Sequence, residues 1–216
     1  MAEKADTAGK KKRRARGLPQ SFEFAAMTAG FRRVAGTDEA GRGPLAGPVV
    51  AAAVILGPEC GGLGLNDSKK ISPKRREKLY DAILESAVAA RIVSVGVVMV
   101  DRLNILNASL LAMKTAIEEL EVRPDFVYID GNRRIDIQMP QTTLVGGDAS
   151  CCSIAAASIL AKVSRDRQMK EYEELYPGYG FAQHKGYGTR EHMQALRELG
   201  PSPIHRRSFS PVRELL

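Results

Sequence analysis

The sequence lacks the long apolar segments that mark membrane and secreted proteins. Its longest apolar run, Val49 to Leu56, is far too short to cross a bilayer. The basic N-terminal stretch is not followed by an apolar segment with a small-residue cleavage site, so it does not resemble a secretory signal. These absences predict a cytoplasmic protein that does not interact with membranes.

Cysteine and histidine are scarce as well. An odd count of three cysteines, Cys60, Cys151 and Cys152, argues against an extracellular disulfide framework. The adjacent pair makes a poor metal clamp, since neighbours on a helix point about 100° apart, so we expect buried, unreactive thiols. The three histidines are too widely spaced for a zinc motif. His184 could order a phosphate or a water, but a structural role is the simpler interpretation.

Positive charge is concentrated at the N-terminus. The net charge is +7, and residues 1–17 carry seven lysines and arginines against Glu3 and Asp6, a net of +5. Such an arm can grip nucleic-acid phosphates without sequence preference, or it can be a solvated tail. Within the body of the chain, we consider four basic residues as phosphate contacts, with a solvated surface as the alternative: Lys69, Lys70, Lys185 and Arg206.

The hydrophobic periodicity predicts strands that alternate with helices after an initial pair of strands. The predicted strands are Arg33–Asp38, Pro48–Leu56, Arg91–Val98, Phe126–Asp130 and Thr142–Val145. Helices are predicted from Ser72-Pro73 to Ala89, from a cap at Asp101 to about Leu120, over Ala149–Leu175 and over Thr189–Leu199. Residues 1–28 lack periodicity, which is typical of a basic flexible arm. This order predicts an α/β fold, with a mixed five-stranded sheet flanked by helices.

Four acids lie where apolar segments end: Asp38, Glu39, Asp130 and Asp148. Sites in α/β proteins assemble at strand ends, and converging carboxylates repel one another unless a cation lies between them. Mg²⁺ and Mn²⁺ prefer such oxygen ligands. Any one of these acids could instead cap a helix or end a strand in a turn.

Asp38 and Glu39 can share one site only if the strand that carries them is irregular. Adjacent residues on a regular strand point to opposite faces of the sheet. We therefore expect the strand to break at Glu39, within Ala40-Gly41-Arg42-Gly43, so that Asp38 and Glu39 can share one site.

Several segments, in order from about Arg33 to Val212, resemble bacterial ribonuclease HII. The opening motif is Gly36-Thr37-Asp38-Glu39-Ala40-Gly41-Arg42-Gly43-Pro44-Leu45-Ala46-Gly47-Pro48. Later segments include Leu65-Asn66-Asp67-Ser68-Lys69-Lys70, Asp130-Gly131-Asn132, Gly147-Asp148, His184-Lys185-Gly186-Tyr187-Gly188-Thr189 and Pro203-Ile204-His205-Arg206-Arg207-Ser208-Phe209. Arg42 between the two glycines separates this pattern from the sister family, ribonuclease HIII.

The resemblance implies a ribonuclease H-like fold and an endonuclease that cleaves 5′ to ribonucleotides in duplex DNA or RNA–DNA hybrids. It implies that Asp38, Glu39, Asp130 and Asp148 bind two Mn²⁺ or Mg²⁺ ions and catalyse the reaction. It also implies that Gly41, Arg42 and Gly43 read the ribose 2′-hydroxyl, and that Tyr187 stacks on the next sugar. We expect a monomer with a catalytic domain over residues 29–188 and a C-terminal helical extension over residues 189–216.

Two alternatives remain beside this interpretation. A DNA-only nuclease or resolvase on the same fold would use the same acids, although Gly41, Arg42, Gly43 and Tyr187 argue against it. A non-catalytic nucleic-acid-binding protein would need the basic patches alone. The sequence also departs from the family at Ser150 and Cys151, where a lysine and a serine are usual.

Overall fold

A computed structural model describes residues 18, 20–57, 62–65, 67–68 and 71–216. Its five strands form one sheet in the order β3-β2-β1-β4-β5. The strands are β1 Val34–Ala40, β2 Val49–Leu56, β3 Ala87–Val95, β4 Phe126–Asp130 and β5 Gln141–Leu144. β1, β2 and β3 pair antiparallel, whereas β4 runs parallel to β1 and β5 parallel to β4. The predicted mixed five-stranded sheet is confirmed.

Helices cover both faces of this sheet. They are α1 Ser21–Thr28, α2 Pro73–Ser86, α3 Val97–Glu118, α4 Cys152–Leu175, α5 Phe181–His184, α6 Arg190–Leu199 and α7 Ser210–Arg213. No helix within the described ranges is long and apolar enough to span a membrane.

β2 shows why its sequence is an unbroken apolar run. Alternate side chains point to opposite faces, and both faces of this central strand are covered. Val49, Ala51, Ala53 and Ile55 pack into the core beneath α3. Val50, Ala52, Val54 and Leu56 pack into a second core, formed with α2 and α4.

α4 lies unusually close to β1. A Cβ atom added at Gly36 would lie 2.3 Å from the backbone carbon of Ser153, so only glycine fits there. Further along α4, the small residues Ala155, Ala156 and Ala157 pack in the core that contains alternate residues of β2. The close approach fixes the first turns of α4 against the strand that carries Asp38.

Several predicted element boundaries were wrong, including that of β3, which spans Ala87–Val95 rather than Arg91–Val98. α2 ends at Ser86 because residues from Ala87 onward pair with β2 as part of β3. α3 begins at Val97 and is kinked at Asn104, whose φ is 63°. Asp101 does not cap α3. Its carboxylate instead accepts hydrogen bonds from the backbone amides of Arg207 and Ser208.

α4 begins at Cys152, three residues later than predicted, because a 3₁₀ turn, Gly147–Ala149, precedes it. The predicted flexible arm of residues 1–28 is also too long. Its last eight residues form α1, in which Glu23 accepts hydrogen bonds from the amide and hydroxyl of Ser153. Residues 1–17 lie outside the described part of the chain.

The C-terminal segment is bonded directly to the loop between β1 and β2. His205 forms an isolated antiparallel bridge with Ala46, and the Gly47 amide donates to the Ile204 carbonyl over 2.8 Å. The division into a domain over residues 29–188 and an extension over residues 189–216 stays a prediction.

Candidate active site

The candidate site lies at the ends of β1 and β4. Because these neighbours are parallel, their C-terminal ends meet at one edge of the sheet. A cavity of about 260 Å³ opens there. Its lining includes three of the four predicted acids together with the glycine-containing loop: Asp38, Glu39, Ala40, Gly41, Arg42, Gly43, Ser68, Asp130, Ser158, Lys162 and Tyr187.

The predicted break in β1 at Glu39 was wrong. Glu39 and Ala40 continue the ladder by pairing with Ala51 and Val50 of β2. The acids therefore lie on opposite faces of the sheet, with Asp38 hydrogen-bonded to Ser158 of α4. Glu39 lines a smaller pocket beside α3 as well as the main cavity.

Both acids reach one cavity because β4 stops early. The ladder between β1 and β4 ends at Thr37 and Ile129, and Asp130 is the last residue of β4. Among the described strands, none pairs with β1 on this side beyond Thr37. Side chains from both faces of β1 can therefore reach the same open edge. Asp130 lies at the same edge and lines both pockets.

The site concentrates negative charge in a buried place. Burial, followed by the charges of Glu39 and Asp130, raises the pKa of Asp38 well above its usual range. Burial also raises the pKa of Glu39, although the guanidinium of Arg42, 3.2 Å from Glu39 Oε1, opposes this shift. Carboxylates crowded in this way fit a hard divalent cation, which would offset their repulsion. Within the described ranges, however, no three Asp, Glu, His or Cys side chains are already grouped as a metal site.

Asp148 lies beside the cavity but is not part of its lining. It is buried in the 3₁₀ turn before α4. Its neighbour Gly147 donates a backbone hydrogen bond of 2.8 Å to Asp130 Oδ1. A Cβ atom at Gly147 would lie 2.5 Å from Cδ1 of the buried Ile154 side chain, so a larger residue would have to displace that side chain. The turn thus links the fourth predicted acid to the third.

The two departures from the family pattern lie next to this turn. The Ser150 hydroxyl is 3.4 Å from the Gly146 carbonyl. The Cys151 thiol is buried 3.2 Å from Glu23 Oε1, and burial raises its pKa far above the usual range. Cys151 is therefore a packed, unreactive thiol, as predicted, and Cys152 is buried as well. Cys60 lies outside the described residues.

The loop after β1 lies next to Tyr187 in the lining of the cavity. Gly41 has a φ of 95°, and a Cβ atom there would lie 2.1 Å from the Arg165 side chain. A Cβ atom at Gly43 would meet the Tyr187 ring at 3.5 Å. Tyr187 is 45% exposed, so its ring is open to a ligand.

The basic residues predicted to contact phosphates lie in different environments. Lys185 is half-buried and its ammonium group donates to the Ala182 carbonyl, while burial lowers its pKa. Lys69 and Lys70 lie outside the described residues. Lys162, which the sequence reasoning missed, lines the cavity with an ion pair of 2.7 Å to Asp166. Its spacing of four residues from Ser158 on α4 was the signal that could have revealed it.

Arg206 does not face a phosphate. Its side chain is fully buried, and its guanidinium donates to the carbonyls of Gly41, Arg42, Gly47 and Pro48. Burial lowers its pKa to about 9. The predicted phosphate contact is therefore replaced by a role inside the protein, as a support for the loop that follows β1.

A mixed sheet of this order, with acids at the shared edge of β1 and β4, defines a nuclease with the ribonuclease H-like fold. The sequence profile of the family described as "Ribonuclease HII" matches residues 35–212. The chain belongs to the ribonuclease HII family, and it is accordingly a ribonuclease H-type endonuclease, a hydrolase.

Relatives and solved structures agree with this assignment. The ribonuclease HII of Geobacter sulfurreducens is 54% identical over 90% of both chains. That of Enterococcus faecalis is 54% identical over 90% of this chain and 76% of its own length. The crystal structure of ribonuclease H2 from Pyrococcus horikoshii matches 85% of this chain and 97% of its own, with a TM-score of 0.73 and 25% identity. A ribonuclease HIII solved in complex with Mn²⁺ shares the fold, with a TM-score of 0.67 and 20% identity over 95% of this chain and 75% of its own.

Proposed function

We propose that this endonuclease cuts the phosphodiester bond 5′ to ribonucleotides embedded in duplex DNA and within RNA–DNA hybrids. The products are a 3′-hydroxyl and a 5′-phosphate, and the biological role is removal of ribonucleotides from DNA. The observation that carries this proposal is the cavity in which Asp38, Glu39 and Asp130 face the Gly41–Gly43 loop and Tyr187.

Two divalent cations, Mn²⁺ or Mg²⁺, are assigned to Asp38, Glu39, Asp130 and Asp148. When bound, they supply an activated water and neutralise the leaving oxygen. Buried carboxylates that raise one another's pKa support this assignment. Asp148 is included because its turn holds Asp130 through the Gly147 amide.

Substrate choice is assigned to the opposite wall of the cavity. Glycines at positions 41 and 43 allow backbone groups to approach a 2′-hydroxyl without a Cβ atom between them. The exposed ring of Tyr187 is available to stack on the sugar of the following deoxynucleotide. Lys69, Lys70 and Lys185 stay proposed phosphate contacts. The cytoplasmic location and the monomeric state stay predictions.

One assay tests the proposal and its alternatives together. The protein is offered a DNA duplex with one embedded ribonucleotide, an all-DNA duplex and an RNA–DNA hybrid, each with Mn²⁺, Mg²⁺ or EDTA. We expect metal-dependent cutting 5′ of the ribonucleotide and none of the all-DNA duplex. Cutting of all three duplexes would favour a DNA nuclease. Binding without any cutting would favour a non-catalytic protein.

A further inference from the structure

The three histidines of the chain form one cluster beside the backbone of Tyr187. His184 and His192 stack with ring centroids 4.3 Å apart, and His205 lies 5.2 Å from His192. His192 and His205 are almost fully buried. None of the three lines the cavity, so the proposed chemistry leaves them unused.

The hydrogen bonds of the cluster define where its protons lie. The Ser202 amide donates to His205 Nδ1 over 2.9 Å, so the proton of His205 must be on Nε2. His205 Nε2 lies 3.0 Å from His192 Nε2, which therefore accepts. The proton of His192 is then on Nδ1, 2.9 Å from the Tyr187 carbonyl. Burial lowers the pKa of both rings, which keeps them neutral.

These hydrogen bonds from Ser202 through His205 and His192, which we call the relay, end on the backbone carbonyl of Tyr187, a residue proposed to read the substrate. The Tyr187 carbonyl also accepts from the Thr189 amide over 2.8 Å. Loss of the His192 hydrogen bond should therefore loosen the Tyr187 loop without unfolding it.

Arg206, the residue after His205, contacts the other element proposed to read the substrate, the Gly41–Gly43 loop. Its guanidinium donates to the carbonyls of Gly41 and Arg42. His205 lies in a bridge with Ala46, and adjacent residues in extended backbone point in opposite directions. The His205 side chain therefore connects to the Tyr187 loop through His192, and the Arg206 side chain connects to the Gly41–Gly43 loop.

We propose that the segment from Ser202 to Arg206, the bracket, sets the spacing between the Gly41–Gly43 loop and Tyr187. His205, His192 and Arg206 are then positioning residues for ribonucleotide recognition. What the two elements read rests on the proposed function, whereas the restraint on Tyr187 is a property of the free protein. The tests separate these two claims.

The first test needs neither metal nor substrate. Since the chain has no tryptophan, Tyr187→Trp gives a single fluorescent reporter on the loop, and its anisotropy decay measures local motion. We expect His192→Leu to increase the amplitude of fast motion. His192→Asn, whose amide can replace the Nδ1 donor, should restore the restrained value. Equal decays in all three proteins would overturn the bracket.

His205 gives a second route to the same comparison if His192→Leu does not fold. Its Nε2–H is the donor to His192, so His205→Gln can keep a donor there and His205→Leu cannot. The leucine variant should show the larger fast motion of the tryptophan reporter. The same decay in the glutamine and leucine variants would contradict the relay.

The second test is a double-mutant cycle on cleavage of the duplex with one ribonucleotide. His192→Leu alone should lower kcat/KM by about 10- to 100-fold, the size expected when a reading element is misplaced by up to an ångström. In a Tyr187→Ala background, the same change should cost little more. Fully additive losses would show that His192 does not act through Tyr187. An inactive wild-type protein would contradict the proposed function, and the tryptophan decay would still decide the bracket.

Discussion

The two walls of the cavity are built on opposite principles. The acidic wall consists of Asp38, Glu39 and Asp130, which belong to the regular strands β1 and β4. Hydrogen bonds between strands fix the backbone there, but the buried carboxylates repel one another. The second wall, which we call the reading wall because we propose that it recognises the ribonucleotide, consists of the Gly41–Gly43 loop and the loop that contains Tyr187. Buried side chains donate hydrogen bonds to the carbonyls of both loops. The first wall therefore has a rigid frame with unfavourable electrostatics. The second has an irregular backbone whose polar groups are satisfied.

The difference shows where stability and function conflict. A crowded acidic site costs folding free energy that a bound cation can offset. The loops need no ligand to be ordered, because two buried arginines donate hydrogen bonds to six of their carbonyls. Arg165 donates to the carbonyls of Ala46, Pro48 and Lys185. Arg206 donates to those of Gly41, Arg42 and Gly47, and also to that of Pro48. Variants on the two walls should therefore fail in different ways.

The largest effect is expected on the acidic wall. Asp130→Asn should lower kcat by about 10³-fold or more, because loss of a cation ligand removes several kcal/mol of transition-state stabilisation. Cleavage assays with Mn²⁺ measure this loss. Asp136→Asn is the matched control, since Asp136 is exposed and pairs with Lys114. Undiminished cutting by Asp130→Asn would remove this residue from the site.

The next largest effect is expected on the reading wall. Gly41→Ala should lower the free energy of unfolding by about 2–4 kcal/mol, since it adds overpacking against Arg165 to the strain of a positive φ. Gly30→Ala separates the two causes, because Gly30 has a φ of 99° but no atom within 4 Å of the added Cβ. It should cost only about 1–2 kcal/mol in urea denaturation. Equal losses would show that the Arg165 contact is unimportant.

Acidification should also weaken the reading wall. Burial lowers the pKa of His205 to about 4 in the folded protein, against about 6.5 when the chain is unfolded. Between these values the unfolded state binds more protons, so stability falls as the pH drops from about 6.5 towards 4. At pH 5 the loss attributable to His205 is about 2 kcal/mol. Urea denaturation of wild type and His205→Gln at pH 7.5 and 5 should show a smaller pH effect in the variant. The same effect in both would contradict this role of His205.

The smallest effect has the opposite sign. In EDTA, Asp38→Asn should raise the free energy of unfolding by about 1 kcal/mol, because it removes a buried charge yet leaves an oxygen to accept from the Glu39 amide. Added Mn²⁺ should raise the melting temperature of wild type more than that of the variant. A destabilised variant in EDTA would show that repulsion does not dominate this wall.

Much of the acidic wall could be predicted from the sequence. Alternation and apolar runs located the strands, and the acids at their ends pointed to one edge. The sequence predicted that Asp38 and Glu39 share one site but not how they do so, since this depends on β4 ending level with Asp38. That register is a property of two strands that are far apart in the sequence.

The reading wall was harder to predict. Arg206 and Arg207 are identical neighbours, yet the first is fully buried and the second exposed. Only the bridge between His205 and Ala46 decides which side chain points inward. The kink at Asn104 and the placement of Asp101 against Arg207 likewise depend on tertiary contacts that hydrophobic periodicity does not report.

The bridge between His205 and Ala46 also defines the shortest fragment that could work. A polypeptide truncated at Gly200 would keep every acid and all five strands, and by sequence it would look like an intact catalytic unit. It would lack Arg206, which donates to the carbonyls of Gly41 and Arg42, and His205, which donates to His192 behind the Tyr187 loop. We therefore expect an excised or fused version of this nuclease to need the chain at least through Arg206.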